Sequence, residues 1–255
     1  MIKSLITKFR NSSVEVKASI AYTICNILQR SLSFITLPLF TRLLTTEQYG
    51  QGTVYSSWES LLTLVVTLNL AYGSFSTAMI KFENERGKYI AAINGLCTML
   101  MICFMLVYLP FRNAWNRFLE LPTFMVVFLV ISILCNNALQ LWYGKERFEY
   151  RYKKVVIVTL TISILSPVIA LLLIMGVQEK GYAKIIGMAL CTIILGFICY
   201  ASFGIKERTF YDEKFWKYAL NFNIPLIPYY LSQTIFNQSD RIMISHMVGQ
   251  DKAAI

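Results

Sequence analysis

The side chains equipped for chemistry are few, and most of them sit inside long apolar runs. Tyr22, Asn26, Gln29, Arg30 and Ser33 recur at spacings of three and four, which sets them on one face of a helix. A polar stripe of that kind turns away from lipid. Arg30 follows Lys17 by thirteen residues, about 20 Å along a helix rising about 1.5 Å per residue, so it falls near the middle of a membrane. A charge there costs roughly 2.5–3.5 kcal/mol on insertion scales and needs a partner or water. Arg30 is either a structural arginine bonded to neighbouring helices or, the favoured reading, a guanidinium that meets an anion in a wet cavity. Glu59 lies about 32 Å along a helix from Lys81, near the outer surface, as an interfacial or a functional carboxylate. Asn136, Asn137 and Gln140 suit interhelical hydrogen bonding better than ligand contact. Pro225 and Pro228 precede Tyr229, Gln233, Asn237, Asp240 and Arg241, again at helical spacing. Two prolines in one turn predict a bent or broken helix, which membranes tolerate where it lines a cavity. Asp240 and Arg241 also fit a simple ion pair at the outer rim.

The remaining chemistry is thin. Cys25, Cys97, Cys103, Cys135, Cys191 and Cys199 all lie in apolar stretches without metal-ligand spacing, and read as small apolar residues. His246 is the only histidine. No catalytic constellation and no metal site is visible, so an enzyme is not expected.

The elements that hold these residues follow from composition. Of 255 residues, 56% are hydrophobic and only 15% charged, with a mean hydropathy of +0.54. Soluble domains carry roughly 25% charged residues, so the chain is read as an all-α polytopic membrane protein. Disordered, disulfide-stapled, nucleic-acid-binding and secreted enzymatic chains are set aside. Charged clusters separate seven predicted spans, at about 18–40, 53–80, 89–109, 122–142, 155–177, 185–204 and 218–248. The first run is too long for a signal peptide and lacks a small-residue cleavage site, which predicts a retained helix. Sixteen of the 24 Lys and Arg fall in segments 1–17, 81–88, 143–154 and 205–217, against six in 40–52, 110–121, 178–184 and 249–255. By the positive-inside rule the N-terminus is cytoplasmic, and the net charge of +10 becomes a topology signal with no nucleic-acid partner implied. Connections are short, so function belongs to the bilayer.

An internal echo runs through the chain. A shift of 199 residues sets Arg42-Leu-Leu on Arg241-Ile-Met and Gly50-Gln51 on Gly249-Gln250, so the seventh span looks like a second first span. Six spans per repeat restore the same orientation, which predicts parallel repeats about an axis along the membrane normal.

The residues Ala18-Ser-Ile-Ala-Tyr22 through Asn26-Ile-Leu-Gln-Arg30, then Ile35-Thr-Leu-Pro38-Leu-Phe-Thr-Arg42 with Glu47-Gln-Tyr49-Gly50, resemble the polysaccharide biosynthesis or O-antigen flippases. Asn237-Gln-Ser-Asp240-Arg241-Ile-Met-Ile with Gly249 and Ala253-Ala254 is similar to the seventh helix of the same family, part of the multidrug/oligosaccharidyl-lipid/polysaccharide exporter superfamily. The resemblance implies two six-helix bundles around a central cavity with alternating access. It implies a cargo of undecaprenyl-pyrophosphate-linked oligosaccharide, an O-antigen or capsule repeat unit, flipped across the bacterial inner membrane. The implied partners are that lipid-linked substrate, the bilayer and other polysaccharide assembly proteins; no bound cofactor is expected, only coupling to an H+ or Na+ gradient. On that footing Arg30 would meet the pyrophosphate, with Arg42 and Arg241 receiving it near the outer rim. Asn26, Gln29, Gln233 and Asn237 would bond sugar hydroxyls, and Glu59 or Asp240 would carry a coupling ion.

Such proteins have about twelve or more helices, so residues 1–217 are expected to form the N-terminal six-helix bundle and 218–255 the first helix of an incomplete second one, in a truncated chain. That seventh span should then be poorly anchored. A multidrug exporter of the same superfamily is the nearest alternative, disfavoured by a midplane arginine where organic cations would need carboxylates. A membrane-embedded polysaccharide polymerase or glycosyltransferase would be expected to carry a large extramembrane loop.

Overall fold

In hydrocarbon, a backbone must satisfy its own hydrogen bonds, and a chain this apolar does so as helices. The computed structural model describes residues 13–249. Among them lie α1 (Val14–Leu43), α2 (Thr46–Thr67), α3 (Phe75–Lys81), α4 (Arg86–Tyr108), the short α5 (Arg112–Leu119), α6 (Thr123–Phe148), α7 (Tyr152–Gly176), α8 (Lys180–Glu207), α9 (Glu213–Asn223) and α10 (Ile227–Val248), and no strand. The protein is thus an all-α polytopic membrane protein. Helices Glu83–Tyr108, Thr123–Phe148, Tyr152–Gly176 and Lys180–Glu207 are long and apolar enough to cross a membrane. The first, second and seventh predicted spans are more polar. Lys3, Lys8 and Arg10, and the final Gln250 to Ile255, lie outside the described residues.

Helix α6 is the axis of the bundle, packed against α2, α3, α4, α7 and α8. The α6–α7–α8 packing depends on missing side chains. A Cβ on Gly196 would fall 2.1 Å from the carbonyl oxygen of Cys135 in α6, and one on Gly187 would fall 2.3 Å from the Cα of Ala170 in α7. Small residues let membrane helices approach backbone to backbone, where dispersion replaces the missing hydrophobic drive. Helix α1 leans on α7, with Phe40 and Leu44 buried beside Ala170, Ile174 and Ala183.

The second span is not the continuous helix 53–80 that hydropathy predicts. It starts earlier, because Thr45 and Gln48 form a capping box: the Gln48 N–H donates to Thr45 Oγ1 (3.3 Å) and the Thr45 N–H to Gln48 Oε1 (3.2 Å). It then breaks over residues 68–74, where Leu68 and Asn69 adopt left-handed backbone (φ 49° and 54°). The seventh span breaks as its prolines predict, at a 3-10 turn over Ile224–Leu226.

The two breaks meet. Asn223, fully buried, accepts from the Ser74 N–H (3.3 Å) and donates to Ser74 Oγ (2.8 Å) and to its own helix at the Ala219 carbonyl (2.8 Å); Ser74 Oγ also bonds the buried Tyr89 hydroxyl (3.1 Å). Gly73 makes room, since a Cβ there would sit 1.9 Å from Asn223 Oδ1. Around this network Phe82, Tyr89, Phe215 and Tyr218 stack edge to face, and Trp216 Nε1 donates to the Ala92 carbonyl (2.8 Å). The domain boundary expected after residue 217 falls inside α9, whose Phe215 and Ala219 belong to this core.

The expectation of a poorly anchored seventh span is corrected here. Helix α10 packs along α2, where Ser57 Oγ donates to Gln238 Oε1 (3.0 Å). Near its far end, Ser245 Oγ donates to Glu120, and His246 Nδ1 lies 3.1 Å from Glu120 Oε1. Side-chain contacts at two heights hold a helix whose faces are otherwise largely exposed. The hydropathy pattern could not show them, because each partner lies far away in sequence.

Candidate functional site

Helices α2, α6 and α8 enclose a cavity of about 330 Å3, a size suited to a small ligand. Glu59 comes from α2, Asn136 from α6, and Lys184 and Thr192 from α8. Tyr55 and Ser132, each only 3% exposed, also line it, from α2 and α6. With Glu59, Asn136, Lys184 and Thr192 they give the cavity a partly polar wall.

The charges stand at separate places in the wall. Lys184 sits in the second turn of α8, its Nζ 3.7 Å from the centre of the Tyr49 ring and 5.3 Å from that of Phe40. The ammonium is held by aromatic faces. No ion pair joins Glu59 to Lys184. Because α2 begins at Thr46 rather than near residue 53, Glu59 is about 20 Å from the start of its helix, well inside it. The distance reckoned from Lys81 assumed an unbroken helix through residues 68–74, which the structure interrupts.

The other sequence candidates lie elsewhere. Gln29 Nε2 donates to Ser163 Oγ on α7 (3.0 Å), which turns that part of the α1 stripe to a neighbouring helix. Asn26, Arg30 and Arg42 are exposed on α1. Gln233, Asn237, Asp240 and Arg241 are exposed on α10, where Asn237 Nδ2 donates to the Gln233 carbonyl (2.8 Å), and Asp240 and Arg241 form no ion pair within the described residues. These two open polar faces are borne by different parts of the bundle, α1 on α7 and α10 on α2. Of the predicted site residues, only Glu59 enters the enclosed cavity.

Lys184, Tyr55, Ser132 and Thr192 were missed by sequence reasoning. Lys184 follows Glu179 and Lys180 in the charged segment 178–184, and its one signal in the sequence is that the apolar run begins at the very next residue, Ile185. Asn136 was read as interhelical glue, a role that its neighbour Asn137 fills by donating to Cys97 Sγ (3.3 Å). Asn136 instead accepts from Gln140 on its own helix (3.3 Å) and faces the cavity. Among the described residues no three His, Cys, Asp or Glu side chains are grouped to hold a metal ion.

No curated protein and no solved structure is detectably similar to this chain. A family model does match, over residues 16–255, which is nearly the whole sequence and includes both polar faces and the cavity. The chain belongs to the polysaccharide biosynthesis protein family.

Proposed function

We propose that the protein translocates an undecaprenyl-pyrophosphate-linked oligosaccharide, an O-antigen or capsule repeat unit, across the bacterial inner membrane by alternating access. The observation that carries this reading is the segregation of polar residues within a membrane protein of polysaccharide biosynthesis. Helices α4, α6, α7 and α8 supply most of the apolar scaffold, while Asn26, Arg30, Gln233, Asn237 and Arg241 line the polar faces of α1 and α10, and Glu59 of α2 meets Asn136 and Lys184 in the cavity. A lipid-linked pyrophosphate is anionic and carries sugars, so its path needs cations and hydrogen-bonding groups at membrane depth.

Arg30 meets the pyrophosphate, since a planar guanidinium fits phosphate oxygens in pairs. Arg42 and Arg241 receive it further out, and the amides bond sugar hydroxyls. Glu59, with a protonatable oxygen in the enclosed cavity, carries the coupling ion of the driving gradient. The work is transport, with no covalent chemistry on the glycan.

The test is leaflet-resolved detection of the lipid-linked glycan in cells that depend on this protein. Arg30→Ala and Arg30→Gln should trap the glycan on the cytoplasmic side while the protein still inserts, because removing a midplane charge eases insertion. Arg30→Lys should restore part of the flux, keeping charge without the fork. Wild-type export by Arg30→Ala would refute the assignment.

A further inference from the structure

A second cleft, of about 360 Å3, lies between α4 and the last turns of α8, at the end of the bundle that the charge count assigns to the cytoplasm. It is lined by Asn94, Tyr200, Gly204, Arg208, Thr209 and Phe210. None of the residues given a role in translocation above is among them.

Asn94 forms the floor. It is 3% exposed, and both its Nδ2 and its Oδ1 lack a hydrogen-bond partner. The other polar groups of the wall are already engaged: the Tyr200 hydroxyl bonds Thr98 Oγ1 (2.8 Å), and Thr209 Oγ1 donates to the Glu207 carbonyl (2.9 Å). A buried amide with donor and acceptor both idle asks for a guest that can accept and donate together. Arg208 stands at the rim as the left-handed cap of α8 (φ 50°), exposed and without an ion pair among the described residues. The carboxyl of the adjacent Glu207 is turned to Gly87, where a Cβ would lie 2.1 Å from its Oε1, about two turns of α4 from Asn94.

The opening is built by glycine. A Cβ on Gly204 would meet nothing within 4 Å, which leaves the mouth clear, whereas Gly95 lets the Phe210 carbonyl cross directly over α4. Beside the mouth, α8 exposes Phe197, Ile198 and Ile205, an apolar surface suited to acyl chains.

We propose that this cleft seats the headgroup of a phospholipid from the leaflet on that side. The phosphodiester accepts hydrogen bonds from the Arg208 guanidinium and from Asn94 Nδ2, and an ammonium or hydroxyl on the same headgroup donates to Asn94 Oδ1. The acyl chains run along the exposed face of α8. Basic pockets between membrane helices at the cytoplasmic side recognise lipid headgroups in this way. The requirement for a donor selects phosphatidylethanolamine and phosphatidylglycerol over phosphatidylcholine, whose quaternary amine has no N–H to give.

The experiment is native mass spectrometry of the full chain released from phosphatidylcholine nanodiscs doped with phosphatidylethanolamine or phosphatidylglycerol, with melting temperature recorded in parallel. The wild type should retain one doped lipid at least about tenfold more strongly than phosphatidylcholine, as expected for a charge-assisted bond with a buried partner. Asn94→Leu should abolish that preference, and Arg208→Ala should weaken retention of all three lipids alike. Gly204→Leu, which places its side chain in empty space, should block retention without lowering the melting temperature in pure phosphatidylcholine; Gly176→Leu, at another open position, should change neither. Equal retention of phosphatidylcholine, or unchanged retention by Gly204→Leu, would overturn the proposal. So would displacement of the lipid by inorganic phosphate at matched concentration, because the site would then read a free oxyanion. If Asn94→Leu fails to fold, Arg208→Ala and Gly204→Leu decide.

Discussion

Asn223 and Asn237 are the same residue type on the same predicted span, and the structure gives them opposite weight. Asn223 is buried and bonds three groups on two elements, whereas Asn237 is exposed and bonds only its own helix. Asn223→Ala should cost about 1–3 kcal/mol, because it strands the Ser74 N–H in a buried place. Asn237→Ala should stay within about 0.5 kcal/mol. Thermal unfolding in detergent compares the two directly. Glu59→Gln should slow export at least about tenfold if its proton is the coupling ion, while leaving the melting temperature near wild type, as expected for a neutral isostere in the same cavity; an unchanged export rate removes Glu59 from the mechanism. At this scale the sequence was legible where a charge interrupts an apolar run, as at Arg30 and Glu59. It was illegible where the environment comes from elsewhere in the chain: the aromatic faces of Phe40 and Tyr49 that hold Lys184, or the hydroxyls of Tyr55 and Ser132, which resemble any other half-polar residue until α2, α6 and α8 converge.

Among the elements, helices α6, α7 and α8 form a slab held by close backbone contact. Gly196→Val should therefore be far worse than its small size suggests. Its new side chain meets the Cys135 backbone, which cannot rotate out of the way, so α8 must lift from α6; overpacking of this kind costs about 1–3 kcal/mol or more. Gly176→Ala, in open space, should be silent. Yield of monodisperse protein and melting temperature both report the difference. Span positions were readable because long apolar runs leave the backbone one solution. The break in the seventh span was readable too, since proline declares itself. The break over residues 68–74 was not, because it contains no proline, and the lone Asn69 and Gly73 are a weak signal inside an otherwise apolar run. Left-handed backbone at two ordinary residues makes it, and docking of Asn223 against Ser74 holds it.

For the whole molecule, the sixteen-to-six distribution of Lys and Arg predicts an orientation that can be measured. Reporters fused after residues 85, 148 and 210 should signal the cytoplasm, and those after 116 and 181 the outside. A cytoplasmic signal after 116 would reverse the order of the helices in the membrane. In the orientation expected from the charges, the short helix α5 and the Glu120 contacts with Ser245 and His246 sit on the outer face, where they tie α10 to the α5–α6 turn. His246→Ala should loosen that tie and speed proteolysis or hydrogen exchange over the last turns of α10, with little effect at Asn223.

The elbow between α2 and α3 has a mechanical side. Glycine at Leu68 and Asn69 would take left-handed backbone at no cost, whereas Leu68 pays about 1–2 kcal/mol for it, so the angle is held by the packing around it and not by the residues themselves. The joint is stiff, and stiff joints transmit. Beyond it, α2 is a lever about 33 Å long, so a tilt of about 10° at the elbow sweeps its far end through about 6 Å, close to one helical turn. Asn223 docks against Ser74 at this elbow and α10 packs along α2, so a displacement of α9 would be carried to the far end of α2 with α10 following it.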